Sequence, residues 1–223
     1  MRNINMFADK ASLILRKMLA SPDEKCVVRD FTDGEGVSIG LAQEVLEALE
    51  KKGYAERVKT GPNSYTLLTN PDKLIEAWVL KYQFEFNQVY SYYSSEKNPL
   101  NDIKEYFQGE NYALTLHSGA NLITSYVNTE QIHLYLDPKE FNTKNILKLR
   151  QNLRLKELKS GGNVHIIKPY YKNSVFINMQ IIKGYNIASN LQLYLDLYNF
   201  NPRGKEHAEY LKKLIEEKGS HLA

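Results

Sequence analysis

Apolar residues in the first third of the chain recur at helical spacing and then begin to alternate. Ala11, Ile14, Leu15, Met18 and Leu19 fall on one face and predict a helix over about residues 6–20, stopped by Ser21-Pro22-Asp23. Val27, Val28 and Phe31 give a short second helix its apolar face, and Asp33-Gly34-Glu35-Gly36 breaks it with glycines that permit a tight turn. Ser38 suits the N-cap of a third helix, since its hydroxyl can accept from a free backbone N–H. Leu41, Val45, Leu46 and Leu49 form the inward stripe of that helix, and Lys51-Lys52 followed by Gly53 marks its end. Residues 54–58 and 64–68 read as strands around the turn Thr60-Gly61-Pro62-Asn63. Residues 26–68 therefore predict a helix-turn-helix followed by a hairpin, the arrangement of a winged helix.

Asn70-Pro71-Asp72 restarts a helix, with Asn70 as cap and Pro71 at the first position. It holds Leu74, Ile75, Trp78, Val79 and Tyr82, continues toward Tyr93 and serves as a bridge, before the linker-like run Ser94-Ser95-Glu96-Lys97-Asn98-Pro99. Beyond it the pattern predicts a helix over about 112–126 and a strand over 131–136 ended by Asp137-Pro138. A helix over 143–152 follows, with Ile146, Leu147 and Leu149 inside. Residues 153–159 and 164–168 flank Ser160-Gly161-Gly162-Asn163 and read as a second hairpin. A strand over 175–182 and helices over 191–198 and 204–215 complete the chain. No strict βαβ repeat emerges, so the expected class is α+β: an N-terminal winged helix-turn-helix domain (1–78), a bridging helix and linker (79–99) and a mixed α/β domain (100–223).

Composition agrees with two modest domains: 223 residues, 43% hydrophobic and 25% charged. No apolar run is long enough to cross a bilayer, and the opening MRNINMFADK lacks the apolar centre of a secretory signal. The single cysteine, Cys26, excludes an internal disulfide framework, fits a cytoplasmic protein and reads as a small buried residue. The 16 tyrosines suit half-buried positions, because they do not alternate with basic residues as a single-strand stacking platform would require.

A winged helix places the N-terminal end of its third helix in the major groove of double-stranded DNA. Here that end offers Ser38, Ile39, Gly40, Gln43 and Glu44, with Arg57, Lys59 and Asn63 on the wing positioned to meet phosphates. Charge cuts against strong binding. Residues 1–78 hold 11 Lys+Arg against 12 Asp+Glu, and Glu44, Glu47 and Glu50 line the exposed face of the reading helix. Because phosphate contacts supply much of DNA affinity, a protein-binding adaptor is the alternative. The strongest local charge lies elsewhere: Lys144, Lys148, Arg150, Arg154, Lys156, Lys159, Lys168 and Lys172 are opposed only by Glu157. That stretch reads either as a solvated surface or as a contact face for nucleic acid or an acidic partner.

Catalytic chemistry finds little support. His117, His133, His165, His207 and His221 show no metal-ligand spacing among themselves or with Cys26, and no GxSxG, P-loop or GxGxxG is present; neither metal nor cofactor is expected. A metal-dependent, restriction-nuclease-like core could draw on Asp137 and Glu157-Leu158-Lys159, but the helix over 143–152 lies between them where such a core joins adjacent strands. A nucleotidyltransferase would need a Gly-Ser turn and paired aspartates; His117-Ser118-Gly119 has the wrong order and no Asp-x-Asp occurs.

The C-terminal residues carry a more specific signal. Leu191-Gln192-Leu193-Tyr194-Leu195-Asp196-Leu197, followed by Pro202-Arg203-Gly204-Lys205-Glu206-His207-Ala208-Glu209-Tyr210-Leu211, resembles the C-terminal signature of AbiEi-type antitoxins. Gly161-Gly162-Asn163-Val164 with Pro169 resembles the hairpin of that family, and Arg29 with Ser38-Ile39-Gly40 its N-terminal winged helix, so the resemblance extends over nearly the whole chain. It implies a repressor of its own operon that also counters a nucleotidyltransferase-like toxin, without requiring a stable complex. It singles out Tyr194, Asp196, Arg203, Gly204 and Glu206. Read for themselves, Asp196 and Arg203 suggest an internal ion-pair lock between two helices, and the alternative is a surface that engages the toxin or its target. Dimeric helix-turn-helix proteins bind paired half-sites, so an operator with inverted repeats is expected, although no heptad seam marks a dimer interface.

Overall fold

The computed structural model describes residues 4–32 and 36–223. The expected turn at Asp33-Gly34-Glu35-Gly36 lies outside the described residues except for Gly36. Among the described residues the architecture is mixed α/β, with eight α-helices and two sheets, and it divides into two compact units: residues 1–82 with Ala223, and residues 83–222. No helix among them is long and apolar enough to cross a membrane.

In the first unit, α1 (Asp9–Ala20) buries the expected face, from Ala11 through Leu19. Residues Val28–Phe31 form a 3-10 turn; the Asp30 carboxylate accepts the Val27 N–H at 2.6 Å, and Phe31 is fully buried. Helix α2 (Ile39–Lys51) starts on Ser38, whose Oγ accepts the Leu41 N–H at 3.2 Å. Its buried stripe is Ala42, Val45, Leu46 and Leu49; Leu41, expected inside, is half-exposed because Ala42 occupies the inward position. Strands β1 (Ala55–Val58) and β2 (Tyr65–Leu68) pair antiparallel. Cys26 joins them through paired backbone hydrogen bonds with Thr66 of 2.9 and 2.8 Å, and burial pushes its thiol up to about 11, so it stays protonated and unreactive. Helix α3 (Pro71–Val79) starts at Asn70, whose side chain donates to the Gly53 carbonyl at 2.8 Å and makes no cap bond.

The helix expected to run on toward Tyr93 stops at Val79. Residues Gln88–Tyr92 are instead β3, an edge strand of the second unit with only Tyr92 buried. The run expected as a linker is tied down: Asn163 accepts the Ser94 N–H at 2.8 Å and donates to the Ser94 carbonyl at 2.9 Å.

The second unit is built on one six-stranded sheet, ordered β3-β6-β5-β4-β8-β7. Its strands are β3, β4 (Tyr112–Leu114), β5 (Ile132–Leu136), β6 (Val164–Lys168), β7 (Gln180–Ile182) and β8 (Tyr185–Ile187). β6 runs parallel to β5 and β8 parallel to β4; the other neighbours are antiparallel. Helices α4 (Pro99–Phe107) and α6 (Thr143–Asn152) place Ile103 and Leu149 in a core with Leu134, Leu136, Val164 and Ile166 of the sheet. Helix α5 (Leu116–Thr124) and the pair α7 (Asn190–Tyr198) and α8 (Gly204–Glu217) meet residues that alternate with those, such as Tyr135. Every residue of β5 is buried, as a strand covered on both faces must be.

Three further elements differ from expectation. Tyr112-Ala113-Leu114, read as the start of a helix, is a fully buried strand; so short an apolar run carries no periodicity that separates the two. The second hairpin does not form. Residues 153–159 lie outside the strands, with Leu153 and Leu155 buried in the α6-side core and only Lys156 bridging to Tyr93, and β6 inserts between β3 and β5. The strand expected over 175–182 is confined to Gln180–Ile182.

Candidate nucleic-acid interface and the C-terminal signature

The proposed reading residues sit together at the start of α2. Ser38, Ile39, Gly40, Gln43 and Glu44 are all exposed, Ile39 to 59%. An apolar side chain that exposed at a helix start, beside a glycine with nothing within 4 Å of its Cβ position, leaves an open, low-relief helix end. Arg29 and Asn63 are also exposed. Two hairpin cations are engaged within the unit. The Arg57 guanidinium lies 3.6 Å from Glu47 and 3.8 Å from Glu50, and Lys59 lies 3.7 Å from Glu50. These carboxylates stand on the solvent face of α2, so the acidic residues noted in the sequence hold the two cations expected to meet phosphates. Such exposed pairs contribute only about 0–1 kcal/mol each and are open to competition from a stronger anion.

In the second unit the basic stretch divides. Arg150 pairs with Glu157 at 2.8 Å and Arg154 with Glu96 at 3.0 Å, whereas Lys144, Lys148, Lys156, Lys159 and Lys172 are exposed. Lys168 lies over the Phe141 ring at 5.7 Å. The residues considered for a nuclease are similarly engaged: Asp137 accepts the Lys139 N–H at 2.8 Å, and Glu157 belongs to its arginine on a segment that is not a strand. Among the described residues no three His, Cys, Asp or Glu side chains converge to hold a metal.

The signature residues have clear local causes. Asp196 is fully buried and does not meet Arg203, so the expected ion-pair lock is absent. Its carboxylate accepts from Thr115 Oγ1 at 2.5 Å, from the Tyr135 hydroxyl at 2.9 and 3.0 Å, and from Gln192 Nε2 at 2.7 Å. Arg203 instead holds Glu206 at 3.2 Å and lies over the Tyr126 ring at 5.4 Å, at the surface. Tyr194 donates to Glu209 at 3.1 Å and so joins α7 to α8. At Gly204, a Cβ would strike the Leu197 carbonyl and come within 3.0 Å of the Phe200 Cβ, so glycine permits the tight α7–α8 corner. Gly162 plays the same part against β3: its φ is +139°, and a Cβ would lie 3.0 Å from the Tyr92 carbonyl carbon.

One cluster escaped the sequence reading. His133 and His165 are register partners on β5 and β6, with rings stacked at 4.4 Å. His117 of α5 and His207 of α8 approach Nδ1 to Nδ1 at 2.8 Å, and Phe200 packs edge-on against both His117 and His133. Burial lowers the proton affinity of all four, taking His133 down to about 3 and His207 to about 4, with the neighbouring imidazoles adding to the effect. Spacing along the chain gives no sign of this, because four different elements supply the rings.

The chain thus pairs a small helical unit presenting one open helix end with a mixed α/β unit whose signature residues fasten its own helices. The family model described as "Transcriptional regulator, AbiEi antitoxin, Type IV TA system" matches residues 67–217, and the chain belongs to that family. The matched segment contains the C-terminal signature and leaves the α2 helix end outside it. Comparison with curated proteins and with solved structures found no match.

Proposed function

We propose that this regulator acts in the cytoplasm by binding double-stranded DNA at its own promoter through residues 1–78, a winged helix-turn-helix domain, and so represses its operon. The exposed α2 start carries the reading, together with membership of a regulator family. Ser38, Ile39, Gly40, Gln43 and Glu44 would face base edges, with Gln43 suited to adenine and Ile39 to a thymine methyl. Arg29, Lys59 and Asn63 would meet phosphates, joined by Arg57 once phosphate displaces Glu47 and Glu50. Residues 100–223 would counter a nucleotidyltransferase-like toxin, directly or through its target. Fluorescence anisotropy on promoter duplexes tests this. Inverted-repeat DNA should bind more tightly than shuffled duplex, and Gln43→Ala with Ile39→Ala should remove about 1–3 kcal/mol per lost base contact. Equal affinity for promoter and shuffled DNA overturns the reading.

The acidic pairing of Arg57 favours a second reading, a protein-binding adaptor. Glu47→Gln with Glu50→Gln separates the two. A DNA reader should gain several-fold in affinity and steepen its salt dependence by about one phosphate contact as Arg57 is freed. An adaptor would show no change in DNA affinity.

A further inference from the structure

We propose that the four-imidazole cluster is an acid-released latch, fastening α8 to α5 and the sheet until a second proton enters the His117–His207 pair or a proton enters His133. The hydrogen bonds define the neutral arrangement. His117 Nε2–H donates to the Pro202 carbonyl at 3.0 Å, which leaves Nδ1 as an acceptor for His207 Nδ1–H at 2.8 Å. His207 Nε2 then accepts from the Thr124 hydroxyl at 2.7 Å. One added proton can be absorbed, because Thr124 also lies 3.0 Å from the Ala120 carbonyl and can turn its hydrogen there. A second proton would place two N–H groups face to face across the His117–His207 contact.

The other pair is less forgiving. His165 donates from Nε2 to Gln131 Oε1 at 2.7 Å and accepts from Ser91 Oγ at 2.8 Å. Nδ1 of His133 is buried with no hydrogen-bond partner, and the ring is 7% exposed. A cation formed there would gain no acceptor and would face the His165 ring. The groups around the cluster do not compensate. Arg203, before α8, adds positive charge near His117 and His207, and Glu206 is bound to Arg203. The Tyr126 ring lies tilted against His207 at 5.5 Å, and the α7 carboxylate, Asp196, is held by Thr115, Tyr135 and Gln192. Among the described residues none of the four histidines forms an ion pair with a carboxylate, and His207 is fully buried on the face of α8 that also buries Ala208 and Leu211.

The direction of the pH dependence follows. These histidines bind protons more weakly folded than unfolded, so the latch is fully closed above about pH 6.5, the ordinary histidine value, and is lost as pH falls toward 4. Hydrogen–deuterium exchange on the full chain reads this. Protection factors of α8 and α5 amides should fall at least tenfold between pH 6.5 and 4.5. Fluorescence of Trp78, the single tryptophan and a residue of the first unit, should not move over that range. Replacing His133→Phe and His207→Gln together supplies neutral groups of similar reach and should flatten the fall. An equal fall in wild type and double variant, or none in wild type, overturns the proposal. Should the double variant not fold, imidazole proton resonances of the wild type decide: midpoints for His133 and His207 well below the ordinary 6.5, toward about 3 and 4, support the latch, and any others refute it.

Discussion

Gly204→Ala should destabilise the second unit by about 3 kcal/mol, at the upper end of what overpacking a tight site costs. The added methyl would collide with the Leu197 carbonyl and crowd the Phe200 Cβ. Neither neighbour can yield cheaply. Leu197 is backbone within α7, and the Gly204 N–H is itself bonded to the Phe200 carbonyl at 2.9 Å. Any outward shift of α8 also draws His207, Ala208 and Leu211 from full burial. For a chain of this size, about 3 kcal/mol corresponds to a melting temperature lower by roughly 6–12 °C. Gly40→Ala is the control with the opposite sign. Gly40 lies in α2 with nothing near its Cβ position, so alanine should stabilise that helix by up to about 1 kcal/mol through propensity alone. Thermal unfolding of both variants checks the pair, and a Gly204→Ala protein as stable as the wild type would show that the corner relaxes without loss.

The contrast between these glycines shows what the sequence made legible. Strongly periodic segments could be read directly: α2 with its Ser38 cap, α6 over residues 143–152, and the final helix pair all form where spacing places them. Short apolar runs could not, since Tyr112–Leu114 and Gln88–Tyr92 become strands only through partners distant in the chain. The hairpin expected around Gly161-Gly162 failed for the same reason. Gly162 permits close passage over Tyr92, and β6 finds its partners in β3 and β5. The C-terminal signature pointed to the right family, while the residues read for themselves pointed to the wrong contact for Asp196. Helical spacing shows which residues neighbour Asp196 on α7, such as Gln192, and says nothing of Thr115 and Tyr135 arriving from α5 and β5. The histidine cluster was hidden in the same way, since parallel register between β5 and β6 sets His133 on His165.

Asp196→Ala should cost about 3–5 kcal/mol, the range seen when one partner of a buried charged network is removed. The carboxylate accepts two hydroxyls and an amide in a place with no solvent exposure. Alanine would leave those donors facing a cavity, and each buried donor left unpaired costs about 1–3 kcal/mol, reduced where a hydroxyl can turn elsewhere. The Thr115 hydroxyl lies just before α5 and the Tyr135 hydroxyl projects from the central strand, so the loss should appear as loosening of α5 and α7 from the sheet. Asp196→Asn separates charge from geometry. Its amide oxygen can still accept from Tyr135 or Thr115, while its NH2 opposes one former donor, so the cost should fall to about 1–2 kcal/mol. Urea denaturation followed by far-UV circular dichroism reads the helices of both units and Trp78 fluorescence only the first, so a loss seen by dichroism and not by Trp78 belongs to the second. Equal losses for Asn and Ala would mean that the negative charge is what the network requires. A loss under about 1 kcal/mol for Ala would mean that water or a shifted Gln192 replaces the carboxylate, and that Asp196 marks the family for a reason outside this core.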